Sequence, residues 1–340
     1  MKLAERPRLE LGSWPTPLVR AKRLEAELGS GPLLIKRDDL SGFALAGSKA
    51  RPLEFLLGDA VAAGRDAIVV GGVPTSNFCQ AAAVAARLAG LACHIVLPGS
   101  PPPQPSANLA IALACDAQIS FSGGPRSELD ERIQERATQL NRTGCSAAAI
   151  PRGGANGTGT LGFCHAAQEL AEQLAARGHE RARIVLAVGS GASIAGLLVG
   201  SRVLALPWTL TGVSVSRPHA AMATQLRALA RGCADLLDPA LPTPPVPDLV
   251  QAPGGHRASG EWTVDERSAA ALALHTECLV LDPDYTARAF PTVLRKLAQH
   301  GPPVVFWHTG GLPGAISNYL TARLDPQSAA PIAAACQELP

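Results

Sequence analysis

Four short segments hold the residues of this chain that could do chemistry. In KRDDLSGFALAGSKARPLEF, residues 36–55, Lys49 directly follows Ala-Gly-Ser and opens the predicted helix ARPLEFLLGDA. A sharp turn there leaves its amine free to point into a cleft, although a lone lysine is ordinarily a solvated surface group. In GGVPTSNFCQAAAVAARLAG, residues 71–90, Thr75, Ser76 and Asn77 stand between a strand and a helix. Backbone N–H groups at such a junction can receive an anion; the plainer role is that Ser76 or Asn77 caps the helix. In VGSGASIAGLLVG, residues 188–200, the run Gly189, Ser190, Gly191, Ala192, Ser193 offers a nest of N–H groups and two hydroxyls to a phosphate. It has neither the Gly-Lys-Ser/Thr end of a P-loop nor the GxGxxG spacing. The fourth segment is LVLDPDYTARAF, residues 279–290, with FWHTGGLPG, residues 306–314, after it. Tyr285 there sits at a helix start, where a tyrosine can equally cap or pack.

The elements that must position these residues read as α/β. Apolar runs of strand length occur at 67–72, 93–99, 117–124, 147–154, 183–191, 210–216 and 303–311, separated by Ala- and Leu-rich helical stretches. Continuous apolar strands alternating with helices predict a doubly wound parallel sheet, twisted and covered on both faces. Several of these strands end in GG, SGG, RGG, GSG or TGG, and ligands in such folds sit at the carboxyl ends of the strands. Two proline-rich loops, 98–108 and 237–249, interrupt the pattern without periodicity.

A chain of 340 residues can build two lobes. With 47% hydrophobic and 17% charged residues the composition is globular. Thirty Lys plus Arg against 28 Asp plus Glu give a net charge of +2 and no electrostatic footprint for nucleic acid. No stretch reaches the roughly 18 uninterrupted apolar residues of a membrane span. The N-terminus lacks a signal-peptide core, so a cytoplasmic address is expected. The eight cysteines are spread singly, which reads as buried free thiols and no metal site.

The lysine segment resembles that of the family containing D-cysteine desulfhydrase and aminocyclopropane-carboxylate deaminase, with the pattern K-R-[DE]-D-x-S-G-x-x-x-G-G-N-K-x-R-K-L-E. Lys36, Arg37, Asp38, Asp39, Ser41, Gly42, Gly47, Lys49, Arg51, Leu53 and Glu54 match; Ala46 replaces a glycine and Ser48 the asparagine. The other segments are similar to the family's Q-S-N-H, T-G-S-G-G-T-x-A-G-L, L-D-P-V-Y-T-x-K-A and H-T-G-G-x-P-G, in the family's order, and WPTPL near the start matches too. The resemblance therefore spans nearly the whole chain.

It implies a two-lobed, tryptophan-synthase-beta-like fold (fold type II), with residues 1–53 plus 161–340 as the large domain and 54–160 as the small one. It implies pyridoxal 5'-phosphate carried by Lys49, its phenolic oxygen bonded by Asn77, its phosphate by Gly189 to Ser193, and its pyridine nitrogen by Thr309. Ser76 and the adjacent amides would hold the substrate carboxylate. Thr75 and Phe78, in place of glutamine and histidine, join Tyr285 on the substrate side. The implied activity is β-elimination on a small amino acid to pyruvate and ammonia, with Lys49, Ser76 and Tyr285 catalytic and the enzyme a homodimer. Aminocyclopropane-carboxylate-type deamination, cysteate sulfo-lysis, β-replacement and racemisation are alternatives on the same cofactor, and binding without turnover is a further one. The family's second active-site tyrosine, in a Tyr-Gly step, falls on Ser259-Gly260 when counted without gaps. Weak ring opening of aminocyclopropane carboxylate is therefore expected.

Overall fold

The computed structural model describes residues 2–252, 257 and 259–324. The strands are β1 (Leu18–Arg20), β2 (Leu33–Arg37), β3 (Ala67–Gly71), β4 (Ala92–Leu97), β5 (Gln118–Phe121), β6 (Ala147–Ala149), β7 (Ala182–Val188), β8 (Trp208–Ser214), β9 (Asp248–Gln251) and β10 (Val304–His308). The helices are α1 (Lys22–Leu28), α2 (Ala50–Ala62), α3 (Asn77–Leu88), α4 (Ala107–Ala114), α5 (Leu129–Arg142), α6 (Gly157–Ala175), α7 (Ala192–Val203), α8 (His219–Leu237), α9 (Val264–Glu277), α10 (Thr286–Leu297) and α11 (Leu312–Leu324). Among the described residues no helix is long and apolar enough to cross a membrane.

Two sheets organise the chain. One has the order β1-β2-β10-β7-β8-β9 and the other β5-β4-β3-β6. Every pairing is parallel except β1 with β2, where Leu18 stands opposite Lys36. The expectation of parallel sheets thus holds with one antiparallel edge strand. The proline-rich stretch 237–249 ends in β9, which starts at Asp248 and pairs with β8, so the expected loop gives way to a short edge strand.

The continuous apolar runs have the cause expected of them. In β7, Ile184, Leu186 and Val188 enter one core with Phe163 and Leu197, while Val185 and Ala187 enter another with Phe290 and Phe306. Both faces are covered, so period-two alternation of polar residues has no place in the strand. Each large side chain buried this way contributes roughly 1.5–3 kcal/mol. The helices that follow the strands start at side-chain caps. Ser76 accepts from the N–H of Cys79 at 3.2 Å, Asn156 from Gly159 at 2.9 Å, and Thr263 and Glu266 form a reciprocal capping box.

A buried ion cluster joins the segments that carry Lys49. Arg51 of α2 donates to both oxygens of Asp38 (2.8 and 2.7 Å) and both of Glu169 on α6 (3.0 Å each). Trp307 of β10 donates to Asp38 at 2.7 Å, and Lys36 of β2 pairs with Glu169. Burial alone would raise the pKa of Glu169, but Arg51 and Lys36 hold it at about 2. Three of the matching residues in the lysine segment (Lys36, Asp38 and Arg51) are therefore structural charges beneath the turn.

Candidate active site

A cleft opens where the carboxyl ends of both sheets meet. Gly71 and Gly72 after β3, Gly153 after β6, Gly189 after β7 and Gly310 after β10 line it, so the glycine-ended strands do face one site.

Lys49 lies on one wall, in the single helical turn Gly47–Lys49 that runs into α2. Gly47 has φ +56°, and a Cβ on it would stand 2.3 Å from the carbonyl oxygen of Thr309, so this turn requires glycine. The Lys49 amine has no carboxylate partner among the described residues, and loss of solvent lowers its pKa to about 8. It therefore reaches its neutral, nucleophilic form at modest cost. Beside it the Ser48 hydroxyl is buried with no hydrogen-bond partner among the described residues, a polar atom left for a ligand.

Ser76, Asn77 and Phe78 line the opposite wall. Ser76 caps α3, so the plainer role read from the sequence is realised alongside its place in the cleft. The Asn77 side-chain oxygen accepts from Asn108 at 2.9 Å, which leaves the Asn77 amide nitrogen as a donor without a protein partner among the described residues. Phe78 is buried and also belongs to the core beneath the four-stranded sheet. Thr75 is exposed and does not line the cleft.

Gly189, Ser190, Gly191 and Ser193 form the cleft floor. Gly191, at φ +98°, precedes α7 and no side chain caps that helix, so its first N–H groups remain available. Ala192 is buried in the first turn and contributes backbone only. A Cβ on Gly189 would stand 2.8 Å from the Tyr285 ring, and one on Gly153 would stand 2.8 Å from the Ser190 hydroxyl. Such a cradle of backbone donors, kept bare of side chains, suits a phosphate dianion.

Tyr285 and Thr309 complete the lining. Tyr285 is fixed through Asp282, whose carboxylate accepts from the N–H groups of Asp284 (3.0 Å), Tyr285 (2.9 Å) and Thr286 (2.9 Å) and from the Thr286 hydroxyl (2.6 Å). Burial raises Asp282 to about 6 and the Tyr285 phenol to about 12, so the phenol keeps its proton at neutral pH. His308 accepts from the Gly310 N–H at Nδ1 and meets the Val280 carbonyl at Nε2, which fits the neutral ring that its burial favours.

Ser259, at the expected Tyr-Gly step, donates to Asp284 at 2.6 Å and does not line the cleft. The preceding residues 253–256 and 258 lie outside the described residues. Sequence reasoning missed Asn108, Asp282 and three lining arginines, Arg126, Arg152 and Arg217. Asn108 carries no local signal, since its partner is 31 residues away. Arg152 could have been found, because it opens the RGG that ends a predicted strand.

A protein-family model described as pyridoxal-phosphate dependent enzyme matches residues 9–310. A Pyrococcus abyssi protein, named as a candidate 1-aminocyclopropane-1-carboxylate deaminase, is 34% identical over 318 residues, covering 92% of this chain and 94% of its own. The D-cysteine desulfhydrase of Klebsiella pneumoniae strain 342 is 34% identical over 336 residues, covering 90% and 94%. Among solved structures, one described as an ACC deaminase homologue superposes with a TM-score of 0.83 at 30% identity, covering 93% of this chain and 97% of that one. A bacterial threonine deaminase, from T.th., shares the fold, with a TM-score of 0.62 at 22% identity over 87% and 92% of the two chains.

Proposed function

This chain belongs to the family of pyridoxal-phosphate dependent enzymes, and from that premise we propose that it eliminates a β-substituent from a small amino acid, releasing pyruvate and ammonia. The observation that carries the reading is one cleft lined by a desolvated, carboxylate-free Lys49, the uncapped start of α7, and Thr309. When bound, pyridoxal phosphate supplies an electron sink beside the substrate's α-carbon.

In this reading Lys49 attaches the cofactor, the N–H groups from Gly189 to Ser193 hold its phosphate, and the Asn77 amide donates to its phenolic oxygen. The neutral Thr309 hydroxyl meets the pyridine nitrogen. No carboxylate stands there to keep a proton on it, which suits prompt departure of a leaving group over a long-lived carbanion. The Lys49 amine, neutral near pH 8, takes the α-proton. Ser76 and the N–H groups at the start of α3 orient the substrate carboxylate. The protonated Tyr285 phenol stands ready to donate toward the leaving group. The small domain is residues 54–160, and the enzyme works as a cytoplasmic homodimer.

Relatives named as D-cysteine desulfhydrases support elimination. A second reading, ring opening of aminocyclopropane carboxylate, has the Pyrococcus relative and the ACC deaminase homologue behind it. Ser259, turned to Asp284 where the family's second tyrosine is expected, weighs against it. Steady-state assays of the purified enzyme with D-cysteine, L-cysteate and aminocyclopropane carboxylate decide between them. Pyruvate from either of the first two, with little turnover of the third, supports elimination. Efficient turnover of the cyclopropane substrate alone reverses the order.

A further inference from the structure

Arg126, Arg152 and Arg217 line the cleft yet have no task in the elimination just described. Arg126 and Arg152 follow β5 and β6 of the four-stranded sheet, and Arg217 follows β8 of the six-stranded one. The group therefore reaches the cleft from both sheets. Only Arg152 has a carboxylate partner among the described residues: Asp130 accepts from its Nε at 2.9 Å and its Nη2 at 2.7 Å, while Nη1 donates to the Arg126 carbonyl at 2.9 Å. Among the described residues the Arg126 guanidinium makes no hydrogen bond or ion pair, and that of Arg217 makes one bond, to the Gly189 carbonyl at 3.2 Å. Three guanidiniums against the single Asp130 carboxylate leave two positive charges uncompensated. Asp282, the one carboxylate lining the cleft among the described residues, is occupied by its own backbone and Thr286.

These charges act on one another. Burial lowers the Arg217 pKa first, and Arg152 and Arg126 lower it further. Arg126 also acts on Tyr285, which fixes the scale of the group as that of one small ligand beside the phenol. Like charges gathered without a counter-charge favour an anion that joins them. The cofactor phosphate already has its seat in the bare cradle at the start of α7, and Arg126 is exposed at the mouth.

We propose that Arg126, Arg152 and Arg217 select an amino-acid substrate with a second anionic group on its side chain, a carboxylate or a sulfur oxyanion, held chiefly by the unpaired Arg126 and Arg217. This rests on the reading of the cleft as a pyridoxal-phosphate site for amino acids. It narrows the substrate class from small amino acids at large to acidic ones.

The test compares aspartate with asparagine, which match in size and differ in charge, as both enantiomers, by calorimetric titration of the holoenzyme. One enantiomer of aspartate is expected to bind roughly tenfold to a hundredfold more tightly than its asparagine counterpart, the range of a charge-assisted hydrogen bond. Arg126→Gln and Arg217→Gln each bring that ratio toward one with cofactor content unchanged, and Arg→Lys at either position restores part of it. Equal binding of the pair, or binding of neither, overturns the proposal. So does loss of cofactor from a folded Arg→Gln variant, which would assign the arginines to the phosphate. Pyruvate release from neutral 3-chloroalanine tests elimination separately. If it is absent while the aspartate preference stands, the elimination reading fails and the selection remains. If it is present without the preference, only the selection fails.

Discussion

The backbone N–H of Ser48 donates to the carbonyl of Thr309 at 2.9 Å, tying the turn that carries Lys49 to the turn after β10. The two turns touch backbone to backbone, because Gly47 and Gly310 both lack a Cβ where they meet. Lys49 and Thr309, 260 residues apart in the chain, are thus set by one contact.

Gly47→Ala should break that contact. Its Cβ would stand 2.3 Å from the Thr309 oxygen, and φ +56° costs a side chain about 1–2 kcal/mol before any clash. The expected outcome is a lower melting temperature together with reduced cofactor content. A variant with full occupancy and unchanged melting would show that the two turns are not coupled.

Lys49 should be the attachment point. Borohydride reduction of the holoenzyme and peptide mapping are expected to place the pyridoxyl mass on Lys49. Lys36 is closed to it, since its amine is taken by Glu169, Gln173 at 2.7 Å and the Thr16 carbonyl at 2.6 Å. Only the neutral amine attacks an aldehyde, so the rate of reloading apoenzyme with cofactor should rise with pH and level off above about 8. A reloading rate flat from pH 6 to 9 would contradict the desolvated amine.

Much of this was legible because turn chemistry is local. Lys49, Ser76, Asn77 and Gly191 each sit at a junction of strand and helix that short patterns mark, and the seven apolar strands are visible because they are buried on both faces. What escaped is long-range or short. The Asn77–Asn108 pair joins two helices, and the three arginines follow three different strands, so no window holds them together. The four-residue β9 hides at the end of a proline-rich run, where it gains its pairing from β8 and not from its own composition. The charges of Lys36, Asp38 and Arg51 looked like site residues and are buried supports.

Gly191→Asp should abolish cofactor binding, because it sets a carboxylate against the dianion at the start of α7. Gly191→Ala is the control, since it bears the same strain at φ +98° without the charge. The alanine variant is expected to keep part of its cofactor and the aspartate variant none, by absorbance of the gel-filtered proteins. Equal occupancy in the two would move the phosphate elsewhere.

The ion cluster beneath the lysine turn should govern acid stability. In the folded chain Glu169 is held at about 2 against an ordinary 4.5, so its contribution is complete above pH 4.5 and is lost as pH falls toward 2. Glu169→Gln removes the charge that balances Arg51 and Lys36, and breaking a buried pair from one side costs about 3–5 kcal/mol. Urea midpoints should therefore fall sharply for the variant at pH 7, and the gap to the parent should narrow at pH 3. Because Arg51 sits at the start of α2, next to Lys49, the variant should also bind cofactor more weakly even where it remains folded. A gap that stays constant between pH 7 and pH 3 would mean that Glu169 contributes through packing and not through its charge.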